Sequence, residues 1–221
     1  MTADTAPDGQ RLDALSAALG LPISTPQRAG LVTYVDLLAR WNATYNLTAV
    51  REREAVWAQH IADCLAVLPA LDRHLATRPD TRRVLDVGSG GGLPGVLLAV
   101  MRPGLDVTCV DTVGKKAAFI RQVAGTLGLP NLHAAHSRVE ALRAPPFDLI
   151  TSRAFAALPD FVRLTKPLLS AGGAWLAMKG KHPADEIAGL PVEVAVFHVE
   201  PVAVPGLDAE RCLVWLQPKA P

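Results

Sequence analysis

The chain has 221 residues, half of them hydrophobic, and a formal charge of +1, which supports one sizeable core with a small extension and excludes bulk disorder. Its longest apolar run, Leu93–Met101, is broken by Pro94 and Gly95 and falls far short of the roughly 20 residues that cross a bilayer. The acidic start, with Asp4 and Asp8, argues against a signal peptide, and the scattered Cys64, Cys109 and Cys212 argue against a disulfide framework or a metal cluster, so a cytoplasmic, metal-free protein without membrane attachment is expected.

Residues 1–8 read as a mobile tail, and a short helical pattern at 11–19 is closed by Gly20. Thr25-Pro26 gives a cap with proline at the first helical position. Leu31, Val35, Leu38 and Trp41 then recur at helical spacing over 26–44. Another amphipathic helix is predicted from about 52 to 68, with Val56, Ile61, Leu65 and Leu68 on its apolar side. All of these helices precede any strand.

From Arg82 the pattern changes. RVLDV, DVTCVD, LHAAH, DLITS and AWLAMK are short apolar or β-branched runs, separated by helical stretches near 94–101, 114–127 and 158–170. Such alternation predicts an α/β fold with a mostly parallel sheet covered by helices on both faces. EVAVFHVE and RCLVWLQ, joined through Pro205-Gly206, read as two final strands with antiparallel pairing at one side of the sheet. The expected organisation is a helical extension over 1–80 and one sheet domain over 81–221.

DVGSGGGLPG, from Asp86 to Gly95, follows a strand and opens a helix. Glycines such as Gly88, Gly90 and Gly92 let the backbone turn sharply and approach a ligand closely. In an open α/β sheet the ligand sits beyond the strand ends. Two cofactor classes compete. GGGLPG fits the dinucleotide pattern, and Asp111 lies 21 residues after Gly90, so an NAD-dependent oxidoreductase stands as the alternative. A carboxylate at Asp86, however, would repel a pyrophosphate across the loop. It suits a ligand with a cationic end, such as S-adenosylmethionine, whose ribose hydroxyls Asp111 would accept. The methyl donor is the favoured reading.

Charge is distributed unevenly: 7 basic and 9 acidic residues over 1–80, 12 and 6 over 81–180, and 3 and 6 over 181–221. A basic middle suits a polyanion or a phosphate-bearing ligand. Arg138, Arg153 and Lys179 follow three successive predicted strands and so are expected around one crevice, opposite Asp86 and Asp111. Lys115, Lys116 and Arg121 read instead as one solvated helix face, and Asn46-Leu47-Thr48 as a helix-ending turn.

What is missing narrows the chemistry. No cysteine follows a proline, as a nucleophile attacking a pyrimidine carbon would, and no Asn/Asp-Pro-Pro-Tyr loop is present to grip an exocyclic amine. A ring nitrogen such as guanine N7 carries a lone pair and no proton. Its methylation needs in-line positioning and electrostatic control rather than a strong base. His133 and His136 alternate across a strand and make no metal pair, and His60 sits beside Ile61 on an amphipathic helix.

RWNATYNLTAV, QHIADCL, RVLDVGSGGGLPGVLLAV, VDTVGKKAAFIRQV, HSRVEAL, ITSRAFAAL, LAMKGK and VPGLDAERCLV, in this order, resemble the bacterial small-subunit rRNA guanine-N7 methyltransferase family, also called glucose-inhibited division protein B. The likeness covers about residues 10–218. It implies a class I, Rossmann-like methyltransferase fold, with S-adenosylmethionine bound by Gly88, Leu93, Val139, Glu140 and Arg153. It also implies small-subunit ribosomal RNA, or a ribosomal particle, as substrate. A monomer is the expected form, although the sequence itself carries no signal of oligomeric state. Arg138, Arg153 and Lys179 match the family's basic residues around the target base, while Asn46 and His60 fall in motifs expected to close the cleft. Gln59 and Cys212 depart from the pattern, where relatives often carry a basic residue and His. A non-catalytic RNA-binding assembly factor on the same fold is the remaining alternative.

Overall fold

A computed structural model describes residues 6–219. The first five residues of the predicted tail lie outside that range, and the rest already belong to α1 (Ala6–Leu19). The helix starts early because Asp8, 2% exposed, is ion-paired with Arg53 and favours the positive helix end. In α2 (Thr25–Tyr45) the cap is Ser24, one residue before the expected Thr25. Ser24 and Gln27 bond each other's backbone N–H groups reciprocally, a capping box, and Pro26 sits one position further in.

The helix expected near 52–68 is interrupted. It runs as α3 (Arg53–Val56), widens into a π-helical stretch at Trp57–Ala62, and resumes as α4 (Asp63–Leu65). A separate α5 (Leu68–Thr77) follows, which the sequence reading did not anticipate. Single π turns inside α-helices concentrate at functional sites, and this one carries Gln59 and His60.

Among the described residues seven strands form one sheet: β1 (Arg83–Val87), β2 (Asp106–Asp111), β3 (Leu132–His136), β4 (Phe147–Arg153), β5 (Leu169–Lys179), β6 (Val194–Pro201) and β7 (Cys212–Pro218), in the order 3-2-1-4-5-7-6. Only β7 runs against its neighbours, β5 and β6. The connecting helices are α6 (Gly95–Met101), α7 (Gly114–Leu127), α8 (Leu158–Thr165) and a short α9 (Ala184–Ala188). The stretch expected to be helical through 170 ends at Thr165 in a 3-10 turn containing Pro167, which offers no N–H to continue the ladder, and β5 begins at Leu169.

Alternate strand residues enter two cores, as the period of two requires. Val84, Val107, Leu149 and Leu176 pack with α1, α2, α6 and α7 on one face; Leu85, Val110, Ile150 and Trp175 pack with α8 on the other. The N-terminal helices thus share a continuous core with the sheet. Tyr34 of α2, fully buried, donates its hydroxyl to Gly91 O at 2.7 Å and props the glycine loop from below. The chain leaves β1 towards β2 and β3, then returns to β4 on the other side. The carboxyl ends of β1 and β4 are therefore the switch point at which open α/β sheets bind ligands. No helix among the described residues is long and apolar enough to cross a membrane.

Candidate active site

Two cavities open at that switch point. The larger, about 570 Å³, is lined by Gly88, Gly90, Leu93, His60, Arg153 and Lys179, among others. The smaller, about 210 Å³, is lined by Asp111, Val113, Lys116, Val139 and Phe155. Gly88 and Ala154 border both. Gly88 has φ +69°, and a Cβ there would lie 2.7 Å from Phe155 Cδ2, so only glycine allows this close approach. A Cβ on Gly90, by contrast, would meet nothing nearer than 4.0 Å; the loop leaves an empty cradle there.

Asp86 is not a wall of either cavity. It is wholly buried beneath the loop, where Oδ2 accepts the N–H of Gly95 at 2.9 Å. The reason is register: Asp86 alternates with Val84 towards α6. The expectation that Asp86 touches a ligand is corrected accordingly. Its carboxylate occupies the N-terminus of α6, the position a pyrophosphate would need. Oδ1 has no hydrogen-bond partner among the described residues, and burial pushes the Asp86 pKa up to about 6.

That shift has a testable sign. The folded state holds the Asp86 proton more tightly than the unfolded chain, whose carboxyl titrates near 3.8. The resulting stabilisation is full below about pH 4 and lost as pH rises to about 6, on the order of 3 kcal/mol. Asp86→Asn should remove this component. Urea unfolding of both proteins at about pH 4 and about pH 7 checks it: the variant's stability relative to wild type should be greater at the higher pH.

Asp111 at the end of β2 uses Oδ2 to accept Gly90 N–H at 2.9 Å and Oδ1 to accept Val113 N–H at 2.9 Å. Each oxygen retains a further lone pair, available to hydroxyl donors in the smaller cavity. Lys116 Nζ stands 3.6 Å from Asp111, so it belongs to this cavity and not to the solvated face expected of it.

The basic side of the cleft is organised by a residue the sequence reading missed. Asp63, 4% exposed, accepts Arg153 Nη1 on Oδ2 at 3.2 Å and Arg211 Nε on Oδ1 at 2.8 Å. Arg153 also donates to Gln59 O at 3.0 Å. Lys179 is tied to Glu186 at 2.7 Å and to Ala156 O at 3.0 Å. Three cations and one carboxylate line the larger cavity, so a positive excess survives the pairing. Asp63 and Arg211 both lie within the quoted motifs, but 148 residues separate them, and no local spacing encodes their meeting.

His60 is 7% exposed, and its pKa is lowered by burial first and by the Arg153 charge second. Leu93 and Lys179 join it in the larger cavity, and Val139 lines the smaller one. Gly92 makes its turn at φ +87° without lining either. Besides Asp86 and Gly92, three more expected site residues line neither cavity. Asn46 ends α2 in the left-handed region at φ 49°, exposed, with Oδ1 bonded to Arg51, so it forms the turn rather than the cleft. Arg138 is exposed at the start of a 3-10 turn and borders neither cavity. Glu140, on the same turn, faces a separate groove with Arg143 and Arg163. Among the described residues no three metal-ligating side chains cluster.

A parallel sheet with one reversed strand, binding at the β1–β4 switch point over a carboxylate that already caps α6, is the architecture of a class I methyltransferase. Burkholderia thailandensis 1,6-didemethyltoxoflavin-N1-methyltransferase, solved with bound S-adenosylhomocysteine, has a similar fold, with TM-score 0.57 at 15% identity over 90% of this chain and 92% of that one. The chain belongs to the rRNA small subunit methyltransferase G family, whose profile matches residues 27–214. It is 55% identical over 214 residues to a Leptothrix cholodnii protein named ribosomal RNA small subunit methyltransferase G, covering 97% of each. An Acidovorax protein of the same name is 56% identical over 209 residues, with 92% of each covered.

Proposed function

We propose that the protein transfers the methyl group of S-adenosylmethionine to N7 of one guanine in small-subunit ribosomal RNA, in the cytoplasm. The observation that carries this reading is the cleft: a glycine cradle above a buried carboxylate, an acid-bearing nucleoside-sized lobe on one side and paired arginines on the other. The residues present fit the donor. Gly88 and Gly90 would hold its amino-acid end, Asp111 its ribose, and Val113, Val139 and Phe155 its base. Bound there, S-adenosylmethionine supplies an electrophilic methyl on a sulfonium.

The rest is positioning. N7 attacks with a lone pair and loses no proton, so the site needs no general base. Neutral His60 is consistent with that. Arg153 and Arg211, fixed on Asp63, and Lys179, fixed on Glu186, offer their remaining N–H donors to phosphate and base oxygens. An oxidoreductase is disfavoured by two features: Asp86 fills the helix end, and Tyr34 and Tyr45 form no Tyr-x-x-x-Lys pair. Titration calorimetry separates these cofactors. Heat is expected with S-adenosylmethionine and none with NAD; the reverse pattern would overturn the methyl-transfer reading.

A further inference from the structure

We propose that the nucleotide next to the target guanine docks on the shoulder between α2 and α7, its base stacked on the Tyr45 ring and its phosphate on Lys115. This deepens the methyl-transfer reading above and rests on it. Four large hydrophobic side chains are exposed among the described residues, and two of them, Tyr45 and Val113 at 42% each, stand here. Tyr45 is the last residue of α2, one turn after Trp41. The two rings lie 5.1 Å apart at 46°, and Trp41 in turn lies 5.5 Å from the buried Phe119 of α7. The exposed ring is therefore backed by an aromatic column rooted in the core.

The chain itself sets the position. Leu47 and Thr48, two and three residues beyond Tyr45, line the larger cavity, and Lys116, next to Lys115, lines the smaller one. Two residues span at most about 7.6 Å between Cα atoms, so Tyr45 stands one nucleotide's reach from the cleft. Lys115, exposed in the first turn of α7, holds Nζ 5.3 Å from the centre of the Tyr45 ring. The surrounding charge fits an anion. No Asp or Glu occurs over 37–51 or over 112–139, whereas these stretches hold Arg40, Arg51, Lys115, Lys116, Arg121 and Arg138. Asp111, which precedes the second stretch, is already engaged by two backbone N–H groups and by Lys116. Arg51 donates to Asn46 Oδ1 at 2.7 Å and offsets the negative end of α2.

An exposed ring beside a cation, in acid-free surroundings, suits single-stranded RNA: bases stack on the ring and phosphates meet the ammonium. Every base has a π-face, so the contact holds the strand without reading its sequence. In the free protein the Lys115 ammonium lies over the ring. An exposed cation–π contact is weaker than the stacking of a base. The base therefore takes the ring face, and the flexible lysine stem carries the ammonium to the adjoining phosphate. Drawing the neighbour onto Tyr45 also unstacks it from the target guanine, which frees that base to enter the larger cavity.

Retention of labelled small-subunit ribosomal RNA on nitrocellulose filters tests this. Tyr45→Ala should weaken binding about 5- to 100-fold. Tyr45→Leu keeps an apolar side chain against Trp41 but has no π-face, and should lose as much; Tyr45→Trp should bind as wild type does. Lys115→Gln should lower the slope of log affinity against log salt by about 0.7, one phosphate's share on a single strand. Calorimetric affinity for S-adenosylmethionine should be the same in all four variants, which separates a lost RNA contact from a damaged cleft. A leucine variant equal to wild type, a tryptophan variant no better than alanine, or an unchanged salt slope would overturn the inference. RNA and cofactor affinities falling together would overturn it as well. Wild-type protein that does not retain the RNA would overturn the ribosomal RNA reading itself, and this inference with it.

Discussion

Replacing Arg153 by alanine is expected to lower methyl transfer roughly 10²- to 10³-fold and to cost about 2–5 kcal/mol of stability. The two losses have different origins. Arg153 is 21% exposed in its side chain and joins Asp63, Gln59 O and the His60 ring, so truncation leaves Asp63 balanced by Arg211 alone. That deficit is a folding penalty, because a buried carboxylate missing a partner is costly. The catalytic loss arises from donors no longer aimed at the cleft. Adding Asp63→Asn to Arg153→Ala removes the uncompensated charge and should recover part of the stability, with no recovery of transfer. Label transfer and urea unfolding on the single variant, the double variant and the wild type check this. Parallel recovery of both would make Arg153 a structural residue only. Arg153→Lys should not substitute, since an ammonium cannot reach Asp63, Gln59 O and the cleft at once.

Gly95→Ala is expected to destabilise the protein by about 3 kcal/mol and to weaken cofactor binding with it. A Cβ at Gly95 would lie 2.3 Å from Cys109 Sγ and 2.9 Å from Asp86 Oδ2. Neither neighbour has room to withdraw: Cys109 is wholly buried within β2, and Asp86 is fixed by the Gly95 N–H itself. The methyl group would push α6 off β1 at the point where the glycine loop is anchored. Cys109→Ala removes the nearer obstacle and should restore part of the loss in the double variant. Thermal unfolding of the single and double variants measures both effects, and a Gly95→Ala protein as stable as wild type would show that the contact yields easily.

The core strands were legible because their pattern is unambiguous. RVLDV, DVTCVD and LHAAH are short runs, apolar or β-branched, and β1, β2 and β3 have those limits. The breaks were harder. The π-helical stretch at Trp57–Ala62 leaves no Gly or Pro to mark it, and α5 and α9 are too short for periodicity to separate from their flanks. In the site, the glycine cradle and Asp111 follow from position alone, at the ends of β1 and β2. Asp86 was assigned to the cavity wall because it lies near a strand end; its even spacing from Val84 carried the correct signal, namely the α6 face. Arg211, Asp63 and Thr48 come together only through tertiary packing. A reading along the chain sees three ordinary polar residues, and the fold makes them the basic side of one cleft.

The central claim concerns a single atom, N7 of guanine. Small-subunit ribosomal RNA treated with the protein and S-adenosylmethionine can be cleaved with borohydride and aniline, which breaks the chain at N7-methylguanine. One new cleavage at a single guanine is expected with the wild-type protein, and almost none with Arg153→Ala. Labelled methyl groups entering the RNA without that cleavage, or many cleavages spread along it, would contradict the claim.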